Sequence, residues 1–436
     1  MKKIISALAI GAIALGASFA NMKVSLNYRN GVELFKYVNK GMDGRTTDDY
    51  GNVYDGSGYN NNGSSMTLFN LTGWNSGKDN LGLTVSGDIF TVKTTLQPTI
   101  GSDNSIFHIF DASAKLFDGA LILEAGWNGD GIQGFRAKKF ADDGNEEGKV
   151  AETFKLGSLF TGSDGLCSTN QISFNTGRNY FARADYRLNI VDGVTCNIAG
   201  NLMIDREWDT SSEKNNGNIG WSIFLDPKIS GIMNAEIFIK GKQIGKAGSD
   251  KVSEFVTGGY LSPKMISVLK DSAIGGSVVI LDGNLMEYNA DWRFRFDIDD
   301  LMITYFGKFA KLVSDDNTGY DPCDGAAVGA LAGLTGFNSS QALWNVINAR
   351  YKINDRFTGI LTVGELTDLD DGFNSGRESA DGTQIYAYPH VQIYASKGAT
   401  VQFGAVAAFG GIGAHEDANK DVDMIINIPV MFRVKM

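Results

Sequence analysis

Between Asp291 and Ile298 the chain reads Asp291-Trp292-Arg293-Phe294-Arg295-Phe296-Asp297-Ile298, so large apolar side chains alternate with charged ones. A period of two is a strand with unlike faces, one suited to an apolar medium and one to water. The last segment repeats the pattern: Ile426, Ile428, Val430, Phe432, Val434 and Met436 fall on one face, with Asn427, Met431, Arg433 and Lys435 on the other. The alternation recurs along the whole chain rather than giving way to helices. It is weak in each segment and strong in repetition, as in a barrel wall.

The connections come in two kinds. Asp118-Gly119, Val191-Asp192-Gly193, Asp299-Asp300, Asn354-Asp355-Arg356 and Ser396-Lys397-Gly398 have the length and residue types of hairpin turns. Residues 39–65, 128–152, 207–217, 312–340, 368–382 and 411–421 form long, polar, acidic connections. Short and long alternate along most of the chain, which predicts a meander with turns at one rim and loops at the other. About 16–18 strands fit between them, near 18 if residues 81–97 form one long strand and 251–260 another. Ser262-Pro263 opens a stretch over 262–271 with the pattern of a short helix. Residues 325–336, rich in Gly and Ala, predict another, in a loop folding over or into the lumen.

Lys2 and Lys3, an apolar run from Ile4 to Ala17 and the small residues Ser18 and Ala20 read as a secretory signal peptide over residues 1–20, cut after Ala20. Residues 21–436 then form one barrel. No later stretch reaches the roughly 18 consecutive apolar residues of a transmembrane helix, so a membrane span here is made of strands. The 54 glycines, 6 prolines and 43% hydrophobic content suit an exported all-β chain with many tight turns. The net charge of -11, taken to -13 by loss of Lys2 and Lys3, argues against a nucleic-acid partner. Cys196 sits on an apolar face with Val194, Ile198 and Leu202. Cys167 and Cys323 fall in loops and are free to pair in an oxidising exterior. Trp74, Phe117, Trp127, Phe357, Tyr394 and Phe432 lie near the ends of apolar faces, as interfacial girdles do. In a secreted soluble sandwich the same residues would form the core.

Catalytic chemistry is sparse. His108, His390 and His415 are isolated, and neither a His-Glu-x-x-His motif nor a Gly-x-Ser-x-Gly elbow occurs. Gly129-Asp130-Gly131-Ile132-Gln133-Gly134 matches a dinucleotide fingerprint, but it lacks the following helix and βαβ setting, so it reads as a loop. Asp368-x-Asp370-Asp371-Gly372 and Asp315-Asp316-Asn317 carry oxygen ligands of the kind calcium prefers, yet neither completes an EF-hand, and both read as solvated acidic loops. No catalytic residue, metal site or cofactor is expected.

The charged residues between apolar neighbours are more informative. If Tyr180, Ala182, Ala184, Tyr186 and Leu188 face lipid, then Arg183, Asp185 and Arg187 face inward. The same phase sends Asp291, Arg293, Arg295 and Asp297 inward, together with Lys308, Arg350, Lys352, Arg433 and Lys435. Arg or Lys at the lipid mid-plane costs about 2–4 kcal/mol, so a barrel forces these groups to its interior. Sixteen or more strands leave that interior wet. Basic groups outnumber acidic ones among these positions, which predicts a weak anion preference. The closing strand in turn presents Ile428, Val430, Phe432, Val434 and Met436 to lipid.

These features resemble bacterial outer-membrane β-barrels of the porin type, and a major surface porin of a spirochaete or similar didderm fits the pattern. In that family the last strand carries an alternating apolar signal, usually closed by an aromatic residue, which the barrel-assembly machinery reads. Here the last residue is Met436, with Phe432 the nearest aromatic in phase. The resemblance implies a single antiparallel transmembrane β-barrel in the outer membrane, with short periplasmic turns and long extracellular loops. It implies passive diffusion of small hydrophilic solutes, outer-membrane lipid as surroundings and room for a homo-oligomer. An adhesin or structural barrel that binds host or surface ligands through its acidic loops is the alternative function, and a soluble glycan-binding β-protein is a third.

Overall fold

The computed structural model of the chain describes residues 21–40, 64–72, 80–96, 107–128, 179–205, 219–244, 252–266, 269, 272–313, 341–369, 383–409 and 422–435. Nearly all of these are strand. The first half runs β1 (Asn21–Lys40), β2 (Ser64–Thr72), β3 (Asn80–Ser86), β4 (Phe90–Leu96), β5 (Phe107–Leu116), β6 (Leu121–Asn128), β7 (Asn179–Val191), β8 (Val194–Asp205), β9 (Ile219–Ile229) and β10 (Met233–Ile244). The second runs β11 (Val252–Pro263), β12 (Ala273–Leu281), β13 (Asn284–Ile298), β14 (Leu301–Leu312), β15 (Gln341–Lys352), β16 (Phe357–Asp368), β17 (Thr383–Ser396), β18 (Ala399–Gly404), β19 (Val406–Phe409) and β20 (Val422–Lys435). β1 opens at Asn21, the first residue after the expected cut; the signal peptide itself lies outside the described residues.

Every pairing is antiparallel, and from β3 to β17 each strand pairs with the next. Two wall positions are each shared by two strands. Along one edge of β1, β2 covers Gly31–Asn39 and β3 covers Asn21–Asn27. β18 and β19, divided at Ala405, sit end to end between β17 and β20. β20 returns to the other edge of β1, from Asn27 opposite Lys435 to Lys40 opposite Val422. The twenty described strands thus occupy eighteen positions of a closed ring, and closure removes the open edges that a sheet would otherwise expose.

The hairpins expected at Asp118-Gly119, Asp192-Gly193, Asp299-Asp300, Asn354–Arg356 and Lys397-Gly398 are all present at one rim. Two expectations are corrected. Residues 81–97 are not one strand, because Gly87–Ile89 turns the chain between β3 and β4, with Gly87 N–H donating to Phe90 O at 2.9 Å. Over 262–271 the described residues are not helical: β11 runs on to Pro263, and Leu269 bridges to Phe296 of β13. Here the rhythm of the rims inverts. The connection from β11 to β12 is the longer one, and β12 turns into β13 through Asp282 and Gly283, both at positive φ (47° and 87°), as a two-residue hairpin requires. Residues 325–336 lie outside the described residues.

The wall is inverted relative to a soluble protein. Large hydrophobic side chains stand exposed at alternate positions around the ring, among them Ile223, Ile237, Leu261, Ile274, Ile347, Leu361, Ile385 and Phe403. Among the described residues the buried set holds 23 polar or charged side chains against 20 hydrophobic ones. Exposed aromatics gather toward the two rims: Phe117, Tyr186, Tyr351 and Phe357 toward the short turns, and Tyr180, Trp221 and Tyr288 toward the long connections. Trp74 and the Trp127 side chain lie outside the described residues.

Glycine makes the tightest part of the wall. On β11 and β12, Gly258 and Gly259 pair with Ser277 and Gly276. A Cβ at Gly258 would meet the Gly276 carbonyl, Ser277 Cβ and the Phe238 ring. A Cβ at Gly275 would meet the Tyr260 ring. The hollows let neighbouring aromatic rings lie flat across the sheet.

Candidate functional site: the inner wall

Each charged residue named from the sequence can be placed by its neighbours. On β7, Arg183 and Asp185 alternate with the exposed Ala182, Ala184 and Tyr186, and the Arg183 Nε donates to Asp185 Oδ1 at 2.7 Å. Arg187 shares their face near the short-turn rim and is exposed. On β13, Asp291 and Arg293 are buried; Arg293 is 1% exposed. Arg295 and Asp297 are partly exposed and form a two-point ion pair, Nε to Oδ1 at 2.9 Å and Nη2 to Oδ2 at 3.4 Å. Lys308 lies directly across from Asp291 and is buried.

Arg350 donates from Nη2 to Gln392 Oε1 at 2.9 Å, reaching over β16 to β17. Lys352 shares the Arg350 face but sits at the rim, 55% exposed, with Nζ 2.7 Å from Asp355 in the turn. Hydrogen bonding from Lys352 holds the Asp355 carboxyl below its ordinary pKa. Arg433 is partly exposed beside the buried Met431. The Lys435 side chain and Met436 lie outside the described residues. On the opposite face of β20, Phe432 is 45% exposed, with Ile428, Val430 and Val434 partly exposed.

Between these groups runs a feature that alternation alone does not reveal. Phe224, Phe238 and Tyr260 stand on successive strands β9, β10 and β11, with ring centroids 6.4 and 6.0 Å apart. All three are buried in a cluster with Ala199, Val256, Ala273 and Val279. The ladder ends in polar chemistry, where Tyr260 Oη donates to Asp291 Oδ2 at 3.3 Å. Short hydrogen bonds tie the inner polar groups across strands, as from Asn201 Nδ2 to Ser222 Oγ at 2.9 Å and from Asn348 Nδ2 to Thr362 Oγ1 at 2.8 Å. Each such bond spares the buried groups that make it part of their desolvation penalty.

Several inner charges were missed. Lys93 lies 3.7 Å from Asp111, and Lys228 lies 2.8 Å from Asp226. Glu33 accepts from Asn427 Nδ2 at 2.7 Å and lies 3.7 Å from Lys36. Glu33 and Lys36 share a face only because the β1–β20 register shifts between Glu33 and Phe35. Glu236, Lys240, Glu254 and Glu287 are buried as well. On β10 the order Ile237-Phe238-Ile239-Lys240 is apolar on both faces, so its phase is invisible until Ile237 is seen exposed and Phe238 buried. One polar chain departs from the rule by lying on the outer face: Tyr305 Oη donates to Asn345 Oδ1 and Asn345 Nδ2 to Glu365 Oε1, both at 2.8 Å.

A closed ring with an apolar outer face, aromatic rims and a polar interior is a β-barrel of the outer-membrane type. Solved structures similar to the chain include OccK3 of Pseudomonas aeruginosa, at 9% identity with 97% of each chain covered and a TM-score of 0.46. OmpT, an outer membrane protein of Vibrio cholerae, is 10% identical over 95% of this chain and 97% of that one, with a TM-score of 0.44. The outer membrane channel DcaP of Acinetobacter baumannii is 12% identical over the same shares, with a TM-score of 0.39. No family model and no curated protein matches the chain.

Proposed function

We propose that the chain is exported by a cleaved signal peptide of residues 1–20 and forms an outer-membrane porin for passive diffusion of small hydrophilic solutes. The inversion of the wall carries this reading. Eighteen strand positions enclose more than side chains can ordinarily fill, and rings of 16–18 strands characteristically leave an aqueous channel. In this reading Arg183, Asp185, Arg187, Asp291, Arg293, Arg295, Asp297, Lys308, Arg350, Lys352, Arg433 and Lys435 line the lumen. Ile428, Val430, Phe432, Val434 and Met436 belong to the lipid face. Outer-membrane lipid and the barrel-assembly machinery are the partners, and no catalytic step is involved. A weak anion preference rests on the basic members of that lining, opposed by carboxylates such as Asp111, Asp226 and Glu236 on the same wall.

A second reading, a closed structural or adhesive barrel, draws on one observation: much of the inner wall from β8 to β20 is buried. Planar-bilayer recording with the purified full chain decides between them. Stable unitary currents that scale with salt support the channel, and insertion without current supports the closed barrel.

A further inference from the structure

Exposure is unevenly distributed around the inside of the ring. Along β3–β7 the inward side chains reach solvent: Lys93 is 48% exposed, Lys115 and Arg187 are exposed, and Thr91, Ser113 and Glu124 are partly so. Among the described residues of this wall only Asp111 is buried. From β8 onward the middle of the wall is closed, with Asn201, Ser222, Glu236, Ser277, Lys308 and Thr362 all buried. Inward groups at the short-turn rim, such as Lys228 and Arg295, are again partly exposed.

We infer that the water path of the barrel is eccentric: it runs against the inner wall of β3–β7, and the charges there set conductance and selectivity. The inference rests on the channel reading above. The physical basis is that a permeating ion keeps its hydration only where water reaches. The buried aromatic ladder of Phe224, Phe238 and Tyr260 excludes water from the stretch of closed wall at β9–β11. This narrows the lining: Arg183, Asp185 and Arg187 border the path, whereas Asp291, Arg293 and Lys308 brace the closed wall. The bordering wall carries four bases, Lys93, Lys115, Arg183 and Arg187, against the carboxylates Asp111, Glu124 and Asp185. Its single positive excess gives a mild anion preference a defined location.

The test uses the full-length chain with Cys167, Cys196 and Cys323 replaced by Ser, carrying one new cysteine at a time, in planar bilayers. A cationic methanethiosulfonate reagent is added after channels open, and each variant is first checked for the heat-modifiable migration of the folded barrel. Thr91→Cys and Ser113→Cys should lose current stepwise, while Ser277→Cys and Thr362→Cys keep theirs. Lys93→Glu and Arg187→Glu should each move the reversal potential in a salt gradient toward cations. Block at Ser277→Cys or Thr362→Cys, or steady current at both β4–β5 positions, overturns the eccentric path while leaving the channel intact. A folded barrel that passes no current overturns both.

Discussion

Gly258 shows how little room one position in this wall leaves. Its neighbours are backbone and ring atoms rather than the loose ends of flexible side chains, so an added side chain must push the Gly276 carbonyl or the Phe238 ring aside. Gly258→Leu is therefore expected to destabilise the folded barrel by about 1–3 kcal/mol, the usual cost of overpacking. A shift in the temperature at which the compact band is lost would measure it, and an unchanged temperature would mean that the sheet relaxes locally. Lys352 and Asp355 represent the other extreme. Because the folded carboxyl titrates below its ordinary value, the pair favours the fold above that ordinary value and loses its effect as pH falls through the depressed one. Both ends stand in water, so Lys352→Ala should leave thermal unfolding unchanged at neutral pH. At this scale the sequence was most legible where bulky and charged residues strictly alternate, as at Arg293 and Arg295. It was least legible on β10 and β11, where Phe238 and Tyr260 point inward and make both faces look apolar.

Among the elements, β20 has the most to hold together. It pairs with the whole loop-side stretch of β1 on one edge and with the divided β18–β19 position on the other, so the ring closes only if β20 is in register. Phe432 lies opposite Asn30 and Val401 with its ring exposed on the outer face. Phe432→Asp would place a carboxylate beside Val401 and Val430 on an apolar wall. Folded protein at the cell surface should fall sharply, measured as the compact fraction of unboiled outer-membrane extract. Normal assembly of this variant would show that Phe432 is not needed for the proposed recognition of the last strand. Hairpins with Asp-Gly or Asp-Asp turns were readable because those residues tolerate the backbone a tight turn demands. The turn at Gly87–Ile89 was not, since Leu83, Val85 and Ile89 keep one phase through it, and the change of phase shows only in the pairing of Val85 with Val92. Nor was the longer connection between β11 and β12, where Leu269 rejoins β13 through tertiary pairing that local residue type does not announce.

At the scale of the whole molecule, stability and location follow from one circuit of hydrogen bonds. Among the described strands all but β2 pair along both edges, so nearly every segment can leave only by breaking two ladders, and in hydrocarbon the released backbone groups would find no water. The exposed apolar band that would aggregate a soluble protein is then the part solvated by lipid. Two consequences can be measured together. The protein should fractionate with the outer membrane. Without boiling it should also migrate in detergent gels as a compact species, because detergent covers the apolar band without opening the ladders. On boiling it should shift to the position of the unfolded chain. Recovery of folded protein from a detergent-free soluble fraction would contradict the membrane assignment, since a band containing Ile223, Ile237, Leu261, Ile347, Leu361 and Phe403 has no stable place in water.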